Sequence, residues 1–240
     1  GSVVNGPFGL SQWFYKENKD ILDEKLIKYD YNLSKANELL DKTPYVFEKD
    51  GKTPFDPEKA SATGDYFRHN AEGQPLKIRH FGSEDNNVTE LIISQIVPAA
   101  REVGMDYLVE QGDFATLGAY MMGIEKNDFN AFNLATGFTA VYDPYTSSHS
   151  DWVGRGTNWS DIADENLDKA IEKVRSTEPT DREGYSKALV EYFVTWNELL
   201  PSLPLYANEY FDIASPRVKG LENITPEVNW ASAIQYLSLD

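Results

Sequence analysis

Between residues 76 and 117 the hydrophobic and polar positions follow two rhythms in turn. Leu76, Ile78 and His80 alternate with Lys77, Arg79 and Phe81. A period of two predicts a strand, with His80 on its inward side as a hydrogen-bonded core histidine. Gly82, Ser83, Asp85 and Asn86 form a turn signal. Val88, Leu91, Ile92, Ile96, Ala99 and Val103 then fall on one helical face. Asn87 and Glu90 make a capping-box-like pair at its start, and Gly104 stands where a left-handed cap is wanted. Pro98 lies inside this helix, lacks an amide donor and should bend it. Residues 107–109 predict the next strand, and Asp113 the cap of the helix after it. Two strands joined by one helix imply a parallel pair with a right-handed crossover.

The remaining pattern is less regular. Residues 3–31 are rich in aromatics without a clean period and predict a lead-in loop with a short helix, Trp13 being core. Asn32 should cap a helix over 33–42 with Ala36, Leu39 and Leu40 inward. Val46 and Phe47 before Asp50 and Gly51 suggest one side of a hairpin, and Asp56 with Pro57 a helical turn. A strand is expected over 128–135, followed by an irregular stretch that Asp143 and Pro144 close. Residues 145–161 read as a polar loop holding Trp152, Trp159 and a solvated His149. Leu167, Ile171 and Val174 share a helical face. Thr180 and Glu183 form a capping box for a helix with Tyr185, Leu189, Tyr192, Trp196 and Leu199 inward. Residues 203–213, with Tyr206, Tyr210 and Phe211, read as extended; residues 215–240, with Pro216, Gly220 and Pro226, as an irregular tail. Strands alternating with helices indicate an α/β fold, a mixed sheet flanked by helices with long loop insertions.

Composition narrows the function classes. With 22 basic and 39 acidic residues the net charge is −17, which opposes nucleic acid and anionic membrane surfaces as partners. The absence of cysteine removes disulfides, thiol catalysis and cysteine-ligated metals. The three histidines, His69, His80 and His149, have no zinc-site spacing. No cofactor or metal is implied, and neither a phosphate-binding loop nor a serine-nucleophile motif occurs. Phe138, Tyr142, Trp152 and Trp159 gather in two irregular segments, and in open α/β sheets ligands bind on loops beyond strand ends. Aromatic faces with a few polar groups suit binding without chemistry.

Several stretches in order carry a resemblance. Tyr29, Asp30 and Tyr31 precede a helix with Lys35, Ala36, Leu39 and Leu40; the strand at 76–81 leads to Val103, Gly104 and Met105, then to Asp113 and Phe114. Thr136, Gly137 and Phe138 run to Asp143 and Pro144; Thr157, Asn158 and Trp159 precede Leu167, Asp168, Ala170 and Ile171; Leu203, Pro204, Leu205 and Tyr206 precede Val218, Gly220 and Leu221. In this order the chain resembles the C-terminal lobe of the family 5 extracellular solute-binding proteins, the peptide, nickel and oligopeptide-binding components of ABC importers.

The resemblance implies a periplasmic-binding-protein-like (type II) lobe over residues 1–240. Residues 214–240 would lead back toward an N-terminal lobe missing from this sequence. It implies a peptide or small-molecule ligand, an ABC permease as partner, and an extracellular or periplasmic protein anchored as a lipoprotein in its full length. Gly1 and Ser2 look like a cloning remnant, so an export signal is expected to have been removed. The ligand-binding residues carried over are Phe138, Thr139, Tyr142, Asp143, Asn158 and Trp159. The family's peptide binders often place an Asp after Gly-Trp in this loop; here Phe138 replaces the Trp and Asp143 comes only before Pro144, which argues against an amine-anchored peptide. Two other classes stay open: a glycan-acting hydrolase using Asp143 and Asp151, and a protein-interaction domain.

Overall fold

The computed structural model describes the chain except Ala140, Pro179, Tyr210, Asp212, Pro226, Glu227, Asn229 and the side chain of Trp230; the expectations placed on Tyr210 and Pro226 fall outside the described residues. The chain divides into two compact units. One joins Gly1–Tyr29 to Thr136–Asp240 and the other is Asp30–Ala135. Helix α1 (Trp13–Lys25) belongs to the first. It is longer than the aromatic-rich segment suggested, because its apolar residues sit apart, Phe14 and Leu22 alone being fully buried.

In the unit Asp30–Ala135, α2 (Leu33–Leu40) starts where Asn32 Oδ1 accepts the Lys35 amide at 2.9 Å. Leu39, expected inward, is exposed. The hairpin over 46–55 forms, with Asp50 Oδ1 accepting the Lys52 and Thr53 amides at its tip, and Asp56 caps the short 3₁₀ turn Pro57–Lys59. Strand β1 (Lys77–Ser83) leads through α3 (Asn87–Leu91) and α4 (Val97–Arg101) to β2 (Asp106–Gly112), and α5 (Phe114–Met121) follows, capped by Asp113. β1 and β2 pair in parallel, Lys77 opposite Asp106 and Ser83 opposite Gly112. Asn86 rather than Asn87 caps α3, its Oδ1 accepting the Val88 and Thr89 amides.

Pro98 acts on the hydrogen-bond ladder just before it. Residues Ile92–Ile96 take a π-helical turn, and the Val97 amide reaches back to the Ile92 carbonyl. The missing Pro98 donor is absorbed by this wider turn. Strand β3 (Ala131–Phe132) pairs in parallel on the other side of β1, so the three-stranded sheet has order β2-β1-β3 and is parallel throughout. β3 is shorter than expected, and at its start the Asn130 side chain takes a ladder position. Asn130 Oδ1 accepts the Arg79 amide at 2.8 Å, and Asn133 Oδ1 meets His80 Nε2 at 2.8 Å. His80 is buried as expected, with Tyr107 Oη on Nδ1 at 2.8 Å. Desolvation outweighs the Asn133 bond and lowers its pKa.

Arg68 is the largest fully buried side chain of this unit. Its Nε donates to the Val103 carbonyl at 2.9 Å, Nη1 to Asp41 Oδ1 at 2.8 Å and to the Tyr45 carbonyl at 3.3 Å, and Nη2 to Asn37 Oδ1 at 2.9 Å. The guanidinium lies 4.3 Å from the Phe55 ring centroid. Gly104 (φ +81°) closes the same nest, since a Cβ there would lie 2.5 Å from the Phe55 ring and 2.9 Å from Arg68 Cγ.

The other unit continues with α6 (Tyr145–Ser148), α7 (Glu165–Ser176), α8 (Arg182–Leu199), β4 (Val218–Lys219), α9 (Trp230–Ala233) and β5 (Ser238–Leu239). α8 packs against both α7 and α1. Leu167, Ile171 and Val174 of α7 and Leu189, Tyr192 and Trp196 of α8 are buried as the periodicity requires, joined by Phe8, Phe14 and Phe193. At about 1.5–3 kcal/mol for each large apolar side chain removed from water, this cluster dominates the unit's stability. The capping box at Thr180 does not form. Asp181 Oδ1 caps α8 instead, accepting the Gly184 amide at 2.8 Å, a stronger cap because its acceptor is charged. Among the described residues of 203–213 only an isolated bridge, Ser2 to Ala207, makes sheet pairing. β4 and β5 pair antiparallel in the tail. No helix among the described residues is long and apolar enough to cross a membrane.

Candidate functional site

All six residues assigned to a ligand site lie in the unit Gly1–Tyr29 with Thr136–Asp240, on segments fastened to its helical core. The first segment is 136–144. Gln12, buried immediately before α1, ties it down: Oε1 accepts the Gly9 amide at 2.8 Å and Nε2 donates to the Thr139 carbonyl. Tyr185 of α8 provides a second tie. Its hydroxyl accepts the Tyr142 amide at 2.9 Å and donates to the Tyr142 carbonyl at 2.6 Å, standing in for a strand partner. The Phe138 ring lies against the backbone of Gly9, where a Cβ would already be in contact at 3.4 Å, and its centroid is 6.0 Å from that of Tyr142.

The six residues are not equally available. Phe138 is half-buried, and Thr139 is exposed with its hydroxyl donating to the Val141 carbonyl at 2.5 Å. Tyr142 points into the core against Phe14, Tyr192 and Phe193. Burial, with Tyr192 alongside, holds its phenol well above the usual tyrosine range. Asp143 accepts the Tyr145 amide at 3.0 Å and sits 3.4 Å from Arg175 Nε, so its charge is already matched. Asn158 is buried, and its side chain is committed: Nδ2 donates to the carbonyls of His149 and Ile162 at 3.1 and 3.2 Å, and Oδ1 accepts from Ser160 at 2.9 Å. Trp159 is 50% exposed, steadied by Nε1 donating to the Gly156 carbonyl at 2.8 Å. The structure therefore brings Phe138, Thr139, Tyr142 and Asp143 together on one segment and sets Asn158 and Trp159 on another. Phe138, Thr139 and Trp159 offer surface; Tyr142, Asp143 and Asn158 hold that surface in place.

The sequence reading missed Gln12 and Tyr185. A lone glutamine in an aperiodic stretch and a tyrosine on a helix face carry no signal of a contact with a segment far along the chain. It also misplaced His149, which is buried and not solvated. Its Nδ1 accepts the Asp151 amide at 3.1 Å, and its ring lies tilted against that of Tyr145 with centroids 4.6 Å apart. Asp151 in turn accepts the Tyr145 hydroxyl at 2.6 Å. Among the described residues no group of three or more His, Asp or Glu side chains is placed to hold a metal ion.

No protein-family model matches the sequence, and no curated protein matches it. Solved structures do. The oligopeptide-binding protein AppA of Bacillus subtilis, in complex with a nonapeptide, superposes over 100% of this chain with a TM-score of 0.70 at 19% identity. The fold is periplasmic-binding-protein-like. The oligopeptide-binding protein of Thermus thermophilus, complexed with a pentapeptide, matches 85% of the chain with a TM-score of 0.63 at 15% identity. A mannohexaose-bound periplasmic oligopeptide-binding protein of Thermotoga maritima matches 89% with a TM-score of 0.58 at 18% identity. The periplasmic-binding-protein-like chain spans 43%, 33% and 37% of the lengths of these three proteins.

Proposed function

We propose that this chain is the C-terminal ligand-binding lobe, both compact units included, of a two-lobe receptor that gives up peptides to an ABC permease. The reading includes an extracellular or periplasmic site of action, anchoring of the full-length receptor as a lipoprotein, and no catalysis. The observation that carries it is the match of the whole chain to a nonapeptide-bound oligopeptide-binding protein. The two aromatic segments on a fixed helical base support it: Phe138, Thr139 and Trp159 would meet the ligand on surfaces that do not need to be organised first. Closure follows from differential contact, since a ligand touching both lobes stabilises the closed form relative to the open one.

Asp143 already sits beside Arg175, which favours an anchor made by backbone groups and apolar side chains over a carboxylate on the peptide's amino terminus. The same pairing weakens the hydrolase alternative. Asp143 pairs with Arg175 and Asp151 accepts the Tyr145 hydroxyl, and the solved structures that match the chain are of binding proteins.

Titration of the chain with a peptide mixture, with mannohexaose as the comparison ligand, tests the reading by calorimetry and amide NMR. One lobe supplies part of the contacts, so weak binding is expected, with shifts confined to the segments around Phe138, Thr139 and Trp159. Tight stoichiometric binding would contradict the two-lobe division. Shifts produced by the sugar and by no peptide would refute the ligand class.

A further inference from the structure

The segment that carries Asn158 and Trp159 hangs from His149, and we propose that His149 is a proton-operated latch that sets the position of this segment. His149 is 5% exposed. Nδ1 accepts the Asp151 amide at 3.1 Å, so the neutral ring carries its proton on Nε2. That nitrogen is buried and has no hydrogen-bond partner. Glu172 Oε1 waits 3.7 Å away, just beyond hydrogen-bond reach.

The surroundings are strongly one-sided in charge. On the Nδ1 side, Asp151 Oδ2 lies at 3.7 Å and Asp168 Oδ1 at 3.8 Å. Asp168 also accepts from the Ser150 amide and hydroxyl at 2.9 and 2.5 Å, holding that carboxylate in place. From α6, Tyr145 presents its ring to His149 and its hydroxyl to Asp151. Arg175 of α7 lies 4.0 Å from the Tyr145 ring centroid and pairs with Asp143. From α8, the Tyr192 hydroxyl bonds Ser148 at 3.2 Å, next to His149. Three carboxylates thus face the imidazole, and the nearby guanidinium is engaged elsewhere.

A second proton can only enter at Nδ1, which turns that nitrogen from acceptor to donor. Two donors do not share a 3.1 Å contact, so the Asp151 amide is released. Nδ1–H then turns to the Asp151 or Asp168 carboxylate and Nε2–H to Glu172, each closing a gap of less than 4 Å. The rearrangement reaches Trp159 through one link, the His149 carbonyl that accepts Asn158 Nδ2. An unperturbed histidine changes charge between pH 5 and 8, and that is the window in which the latch is to be tested. Only its consequence for ligand binding rests on the receptor reading.

NMR titration of the whole chain without ligand tests the latch. Between pH 8 and 5 the Asp151 amide and the Trp159 indole N–H are expected to shift with the same midpoint as the His149 ring. Exchange of the Asp151 amide, relative to its intrinsic rate, should rise about tenfold on protonation, the worth of one hydrogen bond. In His149→Gln those linked shifts should vanish. A His149 ring that stays neutral down to pH 5, or that charges while Asp151 and Trp159 stay still, overturns the proposal, as do shifts that survive in His149→Gln. If the variant does not fold, the wild-type titration decides alone. No ligand enters the experiment, so its failure leaves the receptor reading standing, and the failure of peptide binding leaves the latch standing.

Discussion

Replacing Arg68 by alanine should be among the most damaging single changes in the unit Asp30–Ala135. The side chain is fully buried and makes four hydrogen bonds. Hydrogen bonds from a charged donor are worth about 1.5–3 kcal/mol each, but the partners differ. Asp41 is 61% exposed and regains water when Arg68 is lost, so that ion pair contributes little by itself. The Val103 carbonyl is on a buried residue and is left without its donor, at about 1–3 kcal/mol. Loss of the packing on Phe55 adds a cavity penalty. Together the expected cost is about 3–5 kcal/mol, the range for breaking a buried charged network from one side. Urea unfolding, with amide exchange in β1 as a local report, measures it. Arg68→Met keeps much of the packing but strands the same acceptors and should cost nearly as much. Asp41→Asn should cost under about 1 kcal/mol. If Arg68→Ala lost less than about 1 kcal/mol, or Asp41→Asn lost as much as Arg68→Ala, the view of Arg68 as a hub for buried acceptors would be wrong.

Gly104→Ala should destabilise the same unit by about 2 kcal/mol or more, because it combines a left-handed φ with a Cβ driven into Phe55; a thermal shift under about 2 °C, less than half the shift about 1 kcal/mol gives a small domain, would count against it. Asn158→Ala should lower the melting temperature clearly, since it removes three bonds of a buried amide at about 1 kcal/mol each, whereas Trp159→Ala should stay within about 0.5 kcal/mol of the parent; equal losses would mean that Trp159, too, is structural. Burial pushes the Tyr192 phenol up to about 12 from 10.0. A group raised in the folded state contributes stability that is present below its unfolded value and disappears as pH rises through the folded one. Stability should therefore decline between about pH 10 and 12, with tyrosinate absorbance and unfolding rising together, and Tyr192→Phe should flatten that decline.

Where periodicity was strong, the fold could be read directly. The alternation at 76–81, the apolar helical stripe after it and Gly104 identified the parallel unit, and the apolar faces of α7 and α8 identified the other core. Failures came where side chains replace backbone in the hydrogen-bond ladder. Asn130 takes a ladder position at the start of β3, and Asp181 displaces the cap expected from Thr180. The candidate site was legible as a composition of loops but not as a division of labour. Tyr142, Asp143 and Asn158 look the same in sequence as Phe138, Thr139 and Trp159. Only the contacts with Tyr185, Arg175 and His149 separate the residues that support the surface from those that form it, and no local sequence pattern announces these contacts.

The unit built from Gly1–Tyr29 and Thr136–Asp240 is discontinuous, and its core cannot assemble until both pieces exist. During synthesis α1 must wait for α8, while residues 30–135 emerge in the interval as one continuous stretch. Once folded, that insert leaves little chain to be closed between the two pieces. Unfolded, it is a long flexible loop whose closure carries an entropy cost. Damage at Arg68, whose hydrogen-bond partners all lie within the insert, should therefore also slow the docking of α1 onto α8, making the insert's stability a control on how fast the neighbouring core is completed.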